Sequence, residues 1–317
     1  MALLHFSRVI KVSLLLSAFG LASGARAEQT KVNVAIIPTL EAAPLVIAKE
    51  KGLFAHNGLD VTIQIGTSGA TILPGVLSGQ YDIGYANVVS DLQAIDRKLP
   101  ILLIHATYSH PTDAASDPYK IYVAPDSKFT DPRQLATANI GTPYINNISE
   151  WTTKKALENL QVTDFSRLRW TKVSGEDAYS SVKSGTIDAV WLAQPAGAAA
   201  VKAGLKPLLA VNAGSMPGAV GGYFITSQRY ALANPEVIRR FNQVISQAND
   251  YVTQHQNEGR DAVITHFHFD RDLVYAAPLN NFTNDPGIDN LRIIANDLAR
   301  YGLIKKAPDV NSVFWRN

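Results

Sequence analysis

Along residues 31–37 (KVNVAII) apolar and polar positions alternate and stop at Pro38, the period of a half-buried strand. Residues 44–58 change period: Leu45, Ala48 and Leu53 follow helical spacing, with Pro44 in the first turn and Gly58 closing the segment. The sequence then predicts a strand at 59–65 (LDVTIQI), a short helix at 71–79 (TILPGVLSG) and a strand at 81–86 (YDIGYA). A helix at 88–98 and a strand at 101–108 (ILLIHATY) follow. Strand and helix alternate in units of about thirty residues, which predicts an α/β fold on a parallel-type sheet.

The pattern then restarts. Strands are predicted at 119–125, 138–143, 168–173, 186–193, 206–211 and 221–227. Helices fall between them, including one near 149–160 and one over 195–204 opened by Pro195 and closed by Gly204. The remainder, from residue 235, reads as mainly helical. Two α/β runs and a helical tail predict two lobes, one built from 28–125 and 222–317, the other from 126–221. The strands expected to cross between them are 121–124 going out and 223–226 coming back.

The first 27 residues carry a different pattern. His5, Arg8 and Lys11 precede an apolar run at 12–22, and Ala25-Arg26-Ala27 has the small-x-small form of a cleavage site. This is a secretory signal peptide, expected to be cut after Ala27. Its removal changes the charge: 29 basic residues less three leave 26 against 27 acidic ones, so the formal charge falls from +2 to −1. No basic face for nucleic acid follows from that balance. The sequence has no cysteine, which excludes disulfides, thiol nucleophiles, zinc–thiolate sites and a lipidated cysteine anchor. An exported chain without a lipid anchor is expected to be free in the periplasm, as a monomer.

Six loops follow predicted strands: 38–44, 66–70, 85–89, 106–111, 141–147 and 191–197. In open α/β sheets ligands bind at such strand ends. The first holds Thr39 and Glu41, the only charged residue in all six. The second, GTSGA, offers backbone N–H groups at a helix start and the Ser68 hydroxyl, either as an ordinary cap with Gly69 at the turn or as a ligand contact. Pro74 favours a late helix start capped by Thr71, leaving Ser68 and Gly69 free, because proline is tolerated in a first turn. Asn87 suits either a ligand or a turn. Asn146 and Asn147 precede a helix, where one caps and the other is left for a ligand. Tyr85, Tyr108, Tyr144 and Trp191 either stack on a planar ligand or pack the core. Gln194 precedes the next helix start and can recognise either polarity. No metal site or cofactor is expected, although His266 and His268 are spaced like ligands. No Walker motif and no G-x-S-x-G elbow occur.

The blocks 44–63 (PLVIAKEKGLFAHNGLDVTI), 66–87 (GTSGATILPGVLSGQYDIGYAN), 141–147 (GTPYINN) and 186–200 (TIDAVWLAQPAGAAA) resemble, in this order, one family. It comprises substrate-binding proteins of ABC importers for nitrate, taurine and aliphatic sulfonates, related to the thiamine pyrimidine-precursor proteins. The resemblance implies a two-lobed Venus-flytrap fold of the type II periplasmic-binding class, with a ligand cleft between lobes. It also tips GTSGA towards ligand contact. It implies capture of a small organic ligand, a sulfonate, carboxylate or planar heterocycle, and delivery to a permease with its ATPase. Two alternatives share the fold: a pyrimidine-precursor synthase, whose cysteine-rich iron motif this chain lacks, and a ligand-sensing partner of a membrane receptor.

Overall fold

The computed structural model describes residues 28–175 and 177–316, so the expected signal peptide lies outside the described residues. The strands are β1 (Thr30–Ile36), β2 (Leu59–Ile65), β3 (Ile83–Asn87), β4 (Ile101–Ser109), β5 (Tyr119–Val123), β6 (Asn139–Thr142), β7 (Arg169–Lys172), β8 (Ala189–Ala193), β9 (Lys206–Ala210), β10 (Val220–Ser227) and β11 (Asn281–Phe282). They form two sheets, ordered β11-β4-β10-β3-β1-β2 and β7-β6-β8-β5-β9.

Neither sheet is fully parallel. In the first, β1 pairs in parallel with β2 and β3, whereas β10 runs antiparallel to β3 and β4. In the second, β6 pairs in parallel with β7 and β8, whereas β5 runs antiparallel to β8 and β9. The parallel-type expectation holds for the strands that follow one another with a helix between. It fails at β5 and β10, because each enters its sheet from the other side of the molecule, and at the two-residue edge strand β11, which runs antiparallel to β4. The two sheets therefore repeat one plan, with one reversed strand inserted next to the parallel core. β5, expected on the first lobe, pairs with β8 and β9 in the second sheet.

Helix Pro235–Gln254 shows why the tail belongs with the first sheet. Val237, Ile238, Phe241, Val244, Ile245, Ala248 and Val252 are buried at helical spacing, while Glu236, Arg239 and Asp250 face solvent. Phe241 stacks on Phe54 at 5.6 Å and meets Phe224 of β10 edge-on at 5.2 Å. Helix Ala43–Glu50 packs against helices Pro235–Gln254 and Gln256–Phe267, and six consecutive residues, Ala43–Ala48, are buried. That fixes the loop leading into it, where the site begins.

Helix Gly69–Ser78 starts earlier than Pro74 suggests. Ser68 is its N-cap: the Thr71 N–H donates to the Ser68 hydroxyl at 3.2 Å, and the Ser68 N–H donates to the Thr71 hydroxyl at 3.1 Å. Two orphan donors are thus satisfied reciprocally, which outweighs the single bond that Pro74 forfeits inside the helix. His266 closes helix Gln256–Phe267 and His268 is its left-handed cap, and no metal-binding cluster occurs among the described residues.

Candidate functional site

The site starts from Glu41. Leu40, Ala42 and Ala43 are inserted in the core, and the single 3-10 turn Leu40–Ala42 carries Glu41 inward with them until it is only 7% exposed. Burial pushes its carboxyl up to about 7, and the Tyr85 hydroxyl beside it offsets part of that rise. Tyr85 of β3 and Tyr108 of β4 stand next to it, and their hydroxyls are raised, first by burial and then by the Glu41 charge.

β10 runs between β3 and β4, and its Gly221 and Gly222 make room for these two rings. A Cβ on Gly221 would lie 2.2 Å from Tyr108, and one on Gly222 would lie 2.8 Å from Tyr85. This is the physical purpose of the glycine pair that opens the returning strand.

The second sheet supplies the opposite wall. Tyr119 of β5 stacks on Tyr108 at 5.8 Å, and Trp191 of β8 lies 5.4 Å from Tyr119. An aromatic column thus runs from one sheet to the other. Together these groups enclose a cavity of about 230 Å³, to which Thr39, Thr142 and Tyr144 also contribute. No Lys, Arg or His lines it. Two buried polar atoms of its lining residues have no partner, the Thr39 hydroxyl and the Trp191 indole N–H.

Four hydrogen bonds hold the two walls together. The Asn87 amide donates to Asn147 Oδ1 at 2.9 Å, and the Asn147 amide donates to Ser90 Oγ at 3.1 Å. Gln93 donates to the Asn146 carbonyl at 2.8 Å, and the Tyr144 hydroxyl donates to the Thr67 carbonyl. Each asparagine amide oxygen is also a helix cap: Asn87 Oδ1 accepts from the Ser90 N–H at 3.1 Å and Asn147 Oδ1 from the Ile148 N–H at 2.8 Å.

Of the residues expected at the ligand, Thr39, Glu41, Asn87, Tyr108, Tyr144, Asn147 and Trp191 line this chamber. Asn87 and Asn147 are engaged with each other rather than left open. Ser68, Gly69 and Asn146 lie instead along an adjoining outer cavity of about 410 Å³, which shares Ile37, Asn87, Tyr144 and Asn147 with the chamber. Ser68 is occupied as a cap, and at Gly69 a Cβ would lie 3.0 Å from Ala86 and Ser90. Asn146 takes a left-handed conformation with φ 57°, and Asn147 is the cap of the pair. Gln194 is placed elsewhere: its Oε1 accepts from the Ala198 N–H at 2.9 Å and its amide reaches the Tyr122 hydroxyl at 3.4 Å, within a separate core of the second sheet. The loops lack cations, as the sequence states, but Arg97 and Lys172 from beyond the loops line the outer cavity.

Sequence reasoning missed Tyr119, Thr142 and Ser149. Tyr119 alternates with Ile121 and Val123, which marks its face of the strand, yet nothing local reveals that the other sheet's Tyr108 comes to meet it. His110, although within the candidate loop 106–111, does not line the chamber. It is 1% exposed between Tyr108 and Trp151, and burial lowers it to about 3.

The sequence profile of the NMT1/THI5-like family matches residues 39–259. The chain belongs to that family. The match begins in the loop after β1, covers the second sheet and β10, and ends at Gly259 in helix Gln256–Phe267. Among curated proteins none matches the sequence. Solved structures share the fold at low identity. The periplasmic aliphatic sulphonate-binding protein SsuA from Escherichia coli has a TM-score of 0.74 at 15% identity, covering 90% of this chain and 92% of its own. The alkanesulfonate-binding protein SsuA from Xanthomonas axonopodis pv. citri, bound to MOPS, has a TM-score of 0.75 at 17% identity, covering 92% and 100%. The nitrate-binding protein NrtA from Synechocystis PCC 6803 has a TM-score of 0.71 at 15% identity, covering 90% and 85%. The fold of this NMT1/THI5-like chain is that of the periplasmic binding proteins, and no helix among the described residues is long and apolar enough to cross a membrane.

Proposed function

We propose that this protein is the periplasmic solute-binding component of an ABC importer, exported by its first 27 residues and acting as a monomer. The observation that carries this reading is the chamber itself: it lies between two sheets, both supply its walls, and side chains at its rim bind across the gap. A ligand that touches both walls favours the closed arrangement over the open one, and this differential contact is what a capture device requires.

The hinge is assigned to two paired segments. The His110 N–H donates to the Ala219 carbonyl at 2.8 Å and the Gly218 N–H to the His110 carbonyl at 2.9 Å. Asp117, between β4 and β5, accepts from the Asn212 and Ala213 N–H groups at 2.8 Å each. The lobes accordingly divide near 110–118 and 211–219, with the tail on the first. The ligand is a small organic molecule, and the partners are a membrane permease and its ATPase. The aromatic, largely neutral lining supports binding over catalysis, and a synthase on this fold would need the iron-binding cysteines that the sequence lacks.

A thermal-shift panel of sulfonates, nitrate, carboxylates, amines and heterocycles tests the reading. At least one compound raises the melting temperature progressively above its Kd. A panel without effect, together with consumption of a compound by the purified protein, contradicts it.

A further inference from the structure

We propose that the chamber takes a compact, flat organic cation, such as an amidinium or aromatic ammonium, whose N–H groups donate to the Glu41 carboxylate. This inference rests on the solute-binding reading and concerns the same chamber. It departs from the oxyanions named for the structural neighbours.

Three observations lead to it. Glu41 is buried with no cation lining its chamber, and a buried carboxylate needs a countercharge or must stay protonated. Its position close to neutral titration, caused by burial, shows how weakly the protein alone stabilises the charged form. A ligand cation supplies what is absent, whereas a sulfonate, carboxylate or nitrate would place a second negative charge against the first. The walls suit the same guest. Tyr85, Tyr108, Tyr119 and Trp191 present aromatic surface to the cavity, which attracts cations and accepts flat rings.

Size narrows the class. A cavity of about 230 Å³ lies below the roughly 300–1,000 Å³ of drug-sized sites, so it fits a single small ring system. The Trp191 indole N–H, a donor only, is buried without a partner beside the chamber. The Thr39 hydroxyl, also without a partner, can donate or accept. Arg97 and Lys172 do not oppose a cation here, because both are exposed and line the outer cavity, not the chamber.

Matched pairs test the charge preference directly. Titration calorimetry on the wild-type mature protein compares benzamidine with benzoate, and benzylamine with benzenesulfonate. The cation of each pair is expected to bind at least tenfold tighter than its anion. Glu41→Gln, which keeps the shape and removes the charge, is expected to weaken the cation at least tenfold and the anion not at all. The wild-type comparison stands even where that variant does not fold. Anions binding as tightly as cations would overturn the assignment while leaving solute capture intact. Absence of binding by every member also overturns it, and capture is then judged by the wider thermal-shift panel. Unchanged cation affinity in a folded Glu41→Gln protein overturns the role of Glu41.

Discussion

Glu41 is a residue at which sequence and environment disagree. A carboxylate belongs at the surface, yet the turn Leu40–Ala42 buries it among tyrosines. Holding its pKa near 7 in place of the ordinary 4.5 costs the folded protein about 3 kcal/mol once both states are ionised. The sign follows from proton binding. Between pH 4.5 and 7 the folded state holds the Glu41 proton more firmly than the unfolded chain. Its contribution is therefore fully present below pH 4.5 and lost as pH rises through 7. Asp117, also raised to about 7 by burial, acts in the same direction, and His110, lowered to about 3, acts in the opposite one. Comparing Glu41→Gln with wild type isolates the first term. Urea titrations at pH 5 and pH 8 should show the variant gaining about 2–3 kcal/mol relative to wild type on going to pH 8; a constant difference between the two pH values would contradict the buried carboxyl. At Gly221 the same scale gives a steric prediction. Gly221→Ala puts a methyl against the Tyr108 ring, costing about 1–3 kcal/mol of stability and at least tenfold in affinity for whatever compound the thermal-shift panel identifies. Unchanged affinity would remove Tyr108 from the binding surface.

At the level of elements, most strands and helices were legible because period two and period 3.6 alternate clearly between Pro and Gly boundaries. The lapses have specific causes. β11, with two residues, carries no periodicity to read. The start of helix Gly69–Ser78 turned on reciprocal capping by Ser68 and Thr71, which a single proline masked. The reversed strands β5 and β10 look like any other strand, since pairing direction leaves no trace in local pattern. The site shows the same divide. Loops at strand ends were visible, but the use of each side chain depended on what approached from the other sheet. Asn87 read as a turn former or a ligand contact and Asn147 as a cap or a ligand contact, and both are caps that also bind each other across the gap. Asn87→Ser tests this double duty. Serine keeps the cap, so stability should change by less than about 1 kcal/mol. It loses the amide that reaches Asn147, so the unliganded protein should populate the open arrangement more, read as a longer distance across the cleft. A cleft distance equal to that of wild type would confine Asn87 to capping.

On the scale of the whole molecule, two sheets of one plan face each other with their strand ends, and each receives one reversed strand from the crossing connections. The arrangement places Tyr108 and Tyr119, on consecutive strands of different sheets, at the floor of the chamber near the hinge. It places Asn87, Gln93 and Tyr144 at the rim, where opening must break their bonds. The central claim is that these walls separate and then close on a small solute. The absence of cysteine makes that measurable, because two introduced thiols are the only labelling sites. Asp60 of β2 and Arg169 of β7 are exposed on the edge strands of the two sheets. Spin labels at Asp60→Cys and Arg169→Cys, read by pulsed electron resonance, should give a distance distribution with a longer, open component without ligand. A compound that raises the melting temperature should collapse it to the single shorter distance of the closed form. One distribution, unmoved by every stabilising compound, would contradict capture by closure.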